Sequence, residues 1–333
     1  MTELYFMDEN FRLIEGPVED MTSVVWSERY FEPGTFTFHF PREAVKRSAG
    51  ASYVRSGKNA AGDVFCGRIE YLRADTDGDC EMGGHMLECL LDDRVTYGDS
   101  QWTGTVTDAV LEAVTENLRG SPVNIGAEHA SIPDEVTLTS AWEPLSDWVY
   151  ATLRPYGASC RVTLDENDIP TFTIVKGADL STDACDQPVI FSASFGNIFS
   201  IEMEEDTREM KNVAYVEGSD GTIACADLSD GGGKREIYKK AGDIRPDDFQ
   251  TDDAYRAALT RRGREILAKY SADVNVTAEI DADALPVYGT DYRIGDVCDV
   301  VDEELGIRRA MRLTRVDWVA ENGRVAVYPG FGE

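Results

Sequence analysis

Apolar and polar residues alternate with period two along most of the chain, and this alternation constrains the fold more than any other feature. The clearest run is Thr35-Phe36-Thr37-Phe38-His39-Phe40, in which three phenylalanines share one side before Pro41 ends the run. Successive side chains of a strand point to opposite faces, so this run predicts a strand that is buried on one face. The alternation therefore favours a fold rich in β-strands.

Three stretches predict antiparallel hairpins, because each places a polar turn between two alternating runs. Asp-Gly or Asn-Gly in such a turn supplies the positive φ angles of a tight connection. The predicted hairpins span 64–91 with a turn at 75–79, 159–175 with a turn at 165–168, and 311–328 with a turn at 321–323. The sequence thus predicts an α+β fold that is predominantly antiparallel β.

Three segments change to the helical period. In the first, 106–118, an apolar residue recurs every four positions, with Thr105 or Thr107 as the N-cap and Gly120 as a left-handed end. The second is predicted at 144–154. The apolar stripe of each segment is about as wide as packing on a sheet requires, so these helices are expected to face a core.

The third helix is predicted at 252–270, with Asp252 as its N-cap.

Polar, glycine-rich linker signals occur at 98–100, 177–187 and 229–233. A chain of 333 residues is expected to hold two or three domains.

The charge balance is unusual, because 62 acidic residues against 32 basic ones leave a formal net charge of -30. Affinity for duplex nucleic acid comes from clustered lysine and arginine, so specific nucleic-acid binding is not expected. Two explanations of the acidity remain open. It can serve solubility alone, or it can form a surface that repels DNA.

The cysteines and the N-terminal residues indicate folding in a reducing cytoplasm. The seven cysteines show no CxxC pair and no zinc spacing, which predicts reduced, partly buried thiols. Residues 1–8 lack the basic and apolar regions of a signal peptide. The sequence contains no run of 18 apolar residues, so no membrane span is predicted.

The strongest candidate for a metal site is Asp75, Asp77 and Asp79, because alternate acidic oxygens can surround calcium. The glycine at 78 comes too early for the helix-loop-helix calcium loop, so a plain hairpin turn is favoured over a calcium site. The histidines at 39, 85 and 129 occur in no catalytic or metal-binding pattern and predict surface or structural roles. No catalytic, cofactor-binding or metal residue is therefore predicted.

A glycine run, Gly231-Gly232-Gly233-Lys234, superficially resembles a phosphate-binding loop. It lacks the GxxxxGK[ST] spacing, and Arg235 stands where a hydroxyl residue would follow the lysine. This run is expected to form the flexible tip of a hairpin.

Four stretches together resemble the tail-tip hub family of siphophages. In the first, Trp26 to Phe36 (WSERYFEPGTF) resembles the family's W-x-R-R-Y-x-x-P-G-x-F opening. The four stretches occur in the family's order across nearly the whole chain, which makes the resemblance more specific than any one of them. They are 23–41, 90–106 with the helix after it, 195–218, and 288–297 with the hairpin beyond it.

The resemblance implies two barrel-like domains with an α+β insertion. The first barrel would take 1–99 with returning strands at about 187–218. The insertion would take 100–186 with the helix at about 252–270, and the second barrel would take 219–333. This architecture is related to the hubs of contractile tails.

The resemblance also implies a structural virion protein without a cofactor. It would close the end of a non-contractile tail at the tail tip and connect the tail tube to the tip fibre, with a DNA exit channel in the assembled homotrimer. Its implied partners are further copies of itself, the distal tail protein, the tape-measure protein, and the tip fibre or receptor-binding protein.

Two other functions are left open by the sequence. Tail tips often carry a peptidoglycan hydrolase, although no nucleophile motif or metal spacing supports one here. A carbohydrate-binding tail module is the second, because aromatic residues, 10% of the chain, can stack on sugars.

Overall fold

The computed structural model describes residues 3–58, 64–74, 78–270, 273–280, 285–304, 306–321 and 324–332. The strands are β1 Leu4–Met7, β2 Leu13–Val18, β3 Ser23–Arg29, β4 Thr35–Pro41, β5 Tyr53–Ser56, β6 Cys66–Ala74, β7 Asp79–Met86, β8 Gln101–Thr105, β9 Asn124–Ile125, β10 Glu135–Thr139, β11 Ala158–Leu164, β12 Pro170–Lys176, β13 Ile190–Ser192, β14 Ile198–Asp206, β15 Val213–Gly218, β16 Ile223–Asp227, β17 Glu236–Ala241, β18 Asp273–Ile280, β19 Val297–Asp302, β20 Ile307–Glu321 and β21 Arg324–Gly332. The α-helices are α1 Val106–Leu118, α2 Leu145–Leu153 and α3 Asp252–Ala268, and 3-10 helices cover Arg42–Ser48, Leu87–Leu91, Arg154–Tyr156, Ala193–Phe195 and Pro246–Asp248.

One large sheet joins the two ends of the chain. Its strand order is β14-β18-β21-β20-β3-β4-β7-β6-β5-β1-β2, and β19 also pairs with β20. Along this order the neighbours are antiparallel, whereas β13 pairs with β19 in parallel. The prediction of a predominantly antiparallel α+β fold is confirmed.

The core of this sheet is aromatic, as the alternation in β4 predicts. Phe36, Phe38 and Phe40 are buried, and Trp26 of β3 packs on the first two with ring centroids 5.2 and 5.1 Å away. Trp318 lies opposite Trp26 in the pairing of β20 with β3. Aromatic side chains bury a large area each, so this cluster contributes much of the stability of the sheet.

The insertion has its own layers. Strands β8 and β10 pair with each other, β11 and β12 form a hairpin with β9 alongside, and α1 and α2 supply apolar side chains to the core. Helix α1 begins where predicted, because the Thr105 hydroxyl accepts a hydrogen bond from the Asp108 N–H at 3.1 Å. Gly120 follows its end with φ +75°.

A third unit consists of β16, β15 and β17 with α3 against them. Val216, Tyr255 and Leu259 are buried together between the helix and the strands. The predicted N-cap Asp252 is wrong by one residue. Thr251 has the extended backbone that a cap needs, and its hydroxyl accepts from the Ala254 N–H at 3.2 Å. Asp252 instead lies in the first turn, where its charge favours the helix.

Strand pairing confirms the three predicted hairpins, which are β6 with β7, β11 with β12, and β20 with β21. The glycine run at 231–233 does not turn a hairpin, contrary to the prediction. Strand β16 pairs with one side of β15, and β17 pairs in parallel with its other side. The run is therefore part of a connection that crosses from one edge of this small sheet to the other.

The domain boundaries predicted at 99, 186 and 219 remain predictions. Met7 and Tyr53 of the large sheet are buried in the same cluster as the helices of the insertion. Helix α3 buries its apolar stripe on β15 and β16 and also touches α2. The units are thus joined by shared packing.

Candidate functional site

The most unusual site is a buried ion-pair cluster between the large sheet and the insertion, called the junction cluster here. It consists of Arg161 on β11, Glu28 on β3, and Glu88 in the 3-10 helix after β7. The Arg161 guanidinium lies 3.0 Å from a Glu28 carboxylate oxygen and 3.4 Å from a Glu88 oxygen. The three side chains are 12%, 9% and 2% exposed, so their charges have little contact with water.

Two aromatic residues complete the cluster. The Tyr288 hydroxyl donates to the second oxygen of Glu28 at 2.9 Å, and the Trp318 indole N–H donates to the same oxygen at 3.2 Å. The Glu88 oxygen that faces Arg161 also accepts from the Val162 N–H at 3.5 Å. Buried charges are tolerated only when they are paired and hydrogen-bonded, and Glu28 meets both conditions.

The electrostatics of the cluster follow from two carboxylates sharing one cation. Burial raises the pKa of the Glu88 carboxyl above its ordinary value, although Arg161 acts in the opposite direction. Burial would lower the pKa of Arg161, but Glu28 and Glu88 outweigh it and raise that pKa. Burial also raises the pKa of Tyr288 well above its ordinary value, so Tyr288 remains a hydrogen-bond donor.

Tyr30, from the first of the four resembling stretches, fastens the insertion to the sheet. Its hydroxyl donates to the Gly157 carbonyl at 3.1 Å and accepts from the Gly177 N–H at 3.1 Å. Its carbonyl accepts from the Ser159 hydroxyl. Gly295 packs on its ring with φ +95°, and a Cβ there would lie 2.3 Å from a ring carbon. Only glycine combines this conformation with this close approach.

Asp296, from the fourth stretch, anchors the start of β19. Its carboxylate accepts from the Ala178 and Arg293 N–H groups, each at 2.7 Å. Its carbonyl accepts from the Leu313 N–H at 2.8 Å. Because Ala178 follows β12, this residue connects the insertion to the large sheet a second time.

The second stretch forms hydrogen bonds at the end of α1 and at the start of α2. The Arg94 guanidinium donates to the Leu118 carbonyl at the end of α1 at 2.9 Å, and the Arg94 carbonyl accepts from the Leu145 N–H at the start of α2 at 2.9 Å. The Trp102 indole donates to Glu116 at 2.8 Å. These bonds fix the two helices relative to each other.

In the third stretch, two asparagine side chains form hydrogen bonds with the backbone of neighbouring loops. The Asn197 side chain accepts from the Ser192 N–H at 2.9 Å. The Asn212 side chain accepts from the Arg235 N–H at 2.7 Å and donates to the Gly233 carbonyl at 2.8 Å, which ties β15 to the glycine connection. All four stretches therefore supply structural contacts between distant parts of the chain.

The junction cluster pairs buried charges from two structural units. A cavity of about 300 Å³ adjoins it, lined by Glu28, Glu88, Arg161 and Tyr288 among others. Its cation is bound by both carboxylates, and its donors already have acceptors. The arrangement is suited to holding two structural units in one orientation.

No local sequence pattern pairs Glu28 with Arg161, although one signal indicates a buried charge in β3. Val24, Trp26 and Glu28 alternate on the same face of β3, and all three are buried. A glutamate at a core position requires a buried partner. The pattern does not identify the cation that pairs with Glu28, because Arg161 is 133 residues away in the sequence.

The calcium candidate falls outside what the structure describes. Asp75 and Asp77 lie beyond the described residues, as does the side chain of Asp79. Elsewhere in the described chain, no group of three or more His, Cys, Asp or Glu residues could hold a metal ion. The preference for a plain turn over a calcium site stays a prediction.

The histidines have structural contacts. His85 lies 2.6 Å from Glu70 on the surface, and the ring of His129 accepts from the Ile174 N–H at 3.2 Å. His39 lies on the half-buried face of β4, opposite the phenylalanines.

All seven cysteines are free thiols, and all except Cys185 and Cys225 are buried. Burial raises the pKa of the Cys66 and Cys298 thiols, which makes them unreactive. Among the described helices, none is long and apolar enough to cross a membrane.

Three solved structures share this fold over nearly their whole length. The 43 kDa tail protein of prophage MuSo2 from Shewanella oneidensis is 12% identical with a TM-score of 0.58, over 99% of this chain and 98% of its own. A tail protein from Neisseria meningitidis MC58 is 14% identical with a TM-score of 0.59, over 99% and 96%. Prophage tail protein gp18 from Listeria monocytogenes EGD-e is 14% identical with a TM-score of 0.57, over 99% and 94%.

No curated protein matches the sequence. The model of the family described as Siphovirus ReqiPepy6 Gp37-like protein matches residues 2–333. The chain therefore belongs to the Siphovirus ReqiPepy6 Gp37-like protein family, and it is a structural phage tail protein.

Proposed function

We propose that this tail protein is the hub that closes the tip of a non-contractile tail and connects the tail tube to the tip fibre. Three copies would surround the tail axis and leave a channel through which DNA passes. Its neighbours would be the distal tail protein, the tape-measure protein, and the fibre or receptor-binding protein. The hub would thus be located at the tail tip of the virion.

The observation that carries the proposal is the match of the whole chain to a siphovirus tail family. The four stretches that resemble tail-tip hubs also support it. In the structure those stretches supply Tyr30, Arg94, Asn212 and Asp296, whose hydrogen bonds tie distant segments together. Such contacts suit a component that must keep its shape within a larger assembly.

The acidity of the chain supports the channel. Three copies would bring three times the charge of -30 around one axis. Basic residues in a channel would hold DNA phosphates, whereas carboxylates leave the duplex hydrated and free to slide. Repulsion weakens beyond about 10 Å at 0.1 M salt, so only carboxylates that line the channel would act on the DNA.

Copy number tests the proposal. We expect quantitative mass spectrometry of purified tails to find three copies of this chain per tail, calibrated against the tail-tube protein. A closed ring leaves no open interface, so a fixed number is required. A copy number that varies with tail length would place the protein along the tube and contradict the proposed hub role.

One surface favours carbohydrate binding as a second candidate function. Trp142 is 63% exposed and Tyr97 is 50% exposed, and their rings meet edge to face at 5.2 Å. Trp142 has φ +53°, an uncommon conformation for a bulky residue, and a Cβ on Gly98 would lie 2.0 Å from its indole nitrogen. Strained backbone that holds an exposed ring is typical of binding surfaces.

Binding to a glycan array tests this second function. We expect wild-type protein to bind glycans of the host envelope and Trp142→Ala to lose that binding, with Phe195→Ala as the control because Phe195 is 66% exposed elsewhere on the surface. An array without hits would contradict this second function.

A further inference from the structure

A groove of about 320 Å³ lies between α3 and the insertion. Leu138, Trp148 and Ile266 give it an apolar lining. Thr139, at the end of β10, joins its two sides, because its hydroxyl lies 3.3 Å from the Arg262 guanidinium. A cavity of this size can accept a few side chains of another molecule.

The charge of this groove is opposite to that of the chain. The cationic residues Lys239, Lys240, Lys269, Arg261 and Arg262 line it, against the carboxylates of Glu143 and Glu265 only. In the chain as a whole, acidic residues outnumber basic ones 62 to 32. The groove is therefore a local reversal of charge.

Three of these cations already have carboxylate partners. Arg262 lies 2.8 Å from Asp243 and 3.1 Å from Glu265, and Arg261 lies 3.4 Å from Glu265. Lys240 lies 3.2 Å from Glu217.

Lys239 and Lys269 differ from these three cations. Both are exposed, and neither forms an ion pair with a carboxylate of the described residues. These two lysines are available to an acidic partner.

Copies of a chain that carries a charge of -30 repel each other. A contact that brings a cationic surface of one copy against an acidic surface of the other offsets this repulsion. We propose that this groove receives an acidic segment of a second copy of this chain, with an apolar side chain of that segment on Leu138, Trp148 and Ile266. The inference rests on the proposed ring of copies, in which each copy offers its groove to the next.

The shape of the groove favours a polypeptide over nucleic acid. Duplex DNA is too large to enter a groove of about 320 Å³, and a chain of net charge -30 repels its phosphates. An extended acidic segment can place carboxylates beside Lys239 and Lys269 and still reach the apolar lining.

Zero-length cross-linking of purified tails tests the contact. A carbodiimide joins a lysine amine directly to a carboxylate that touches it. We expect mass spectrometry to find Lys239 or Lys269 joined to an Asp or Glu of a second copy, which isotope-mixed tails distinguish from a link within one chain. Links to a different tail protein, or links within one chain alone, would overturn the proposal.

Charge reversal gives a second test. We expect Lys239→Glu with Lys269→Glu to lower the copies per tail at least about tenfold, since like charges across an interface oppose assembly. The matched control is Lys46→Glu with Lys58→Glu, two exposed lysines outside the groove. Equal incorporation of both variants would overturn the groove contact and leave the hub intact, whereas wild-type tails without this chain would overturn the hub itself.

Discussion

At the scale of residues, the sequence predicts the burial of one member of the junction cluster but not its partner. Glu28 stands at an inward position of β3, so its burial could be predicted from the alternation with Val24 and Trp26. Its partner could not, because ion pairs between residues so far apart leave no periodic pattern. The same holds for Tyr30 and Gly295, which meet across the molecule.

Removing the shared cation should destabilise the fold strongly. We expect Arg161→Leu to lower the free energy of unfolding by about 3–5 kcal/mol, because Glu28 and Glu88 would be left buried without a cation. Urea denaturation measures this change. The control combines Arg161→Met with Glu28→Gln and Glu88→Gln, which removes all three charges and should cost less than Arg161→Leu. A greater loss in the control would show that the charges themselves stabilise the fold.

The raised pKa of Glu88 predicts a pH dependence. The folded state binds the proton of this carboxyl more tightly than the unfolded state, whose pKa is about 4.3. The stability that Glu88 contributes is thus fully present below about pH 4.3 and is lost as the pH rises through the higher folded value. We expect the stability of wild type relative to Glu88→Gln to fall from pH 4 towards pH 7. A constant difference would contradict the raised pKa.

At the scale of elements, local patterns predicted more than long-range ones. The helices and hairpins were predictable because caps, turns and periodicity lie within a few residues of each other. The pairing of β20 with β3 joins residues about 290 apart, as the Ser27 to Asp317 hydrogen bond shows. No local signal predicts such a pair, nor the parallel pairing of β15 with β17 that made the hairpin interpretation of the glycine run wrong.

The N-cap of α1 offers a test of local stabilisation. We expect Thr105→Ala to lower the free energy of unfolding by about 1 kcal/mol, because the Asp108 N–H loses its acceptor. Thr115→Ala in the same helix is the matched control. Thr115 is exposed within the helix, where alanine is the better helix former, so this change should be neutral or stabilising. Thermal unfolding followed by circular dichroism compares the two, and equal losses would contradict the cap.

At the scale of the whole molecule, the acidity and the fold support one account of the tail tip. The sequence resemblance led to the structural tail family, and the full-length match to that family confirms it. The barrel-like domains remain a proposal, and so does the channel, which depends on how several copies assemble.

The charge of the whole molecule predicts its behaviour towards DNA. We expect the purified chain not to retard duplex DNA in a gel at about 50 mM salt, because phosphates and a surface of charge -30 repel each other. A clear shift that about 200 mM salt abolishes would show that basic residues face DNA, and it would remove the argument for an acidic channel.

The most direct test of the central claim is cryo-electron microscopy of intact tails from the phage or prophage that encodes this chain. The account predicts density for three copies at the tip, around an open axis and between the last ring of the tail tube and the fibre. Density for this chain along the tube, or any copy number at the tip other than three, would contradict it.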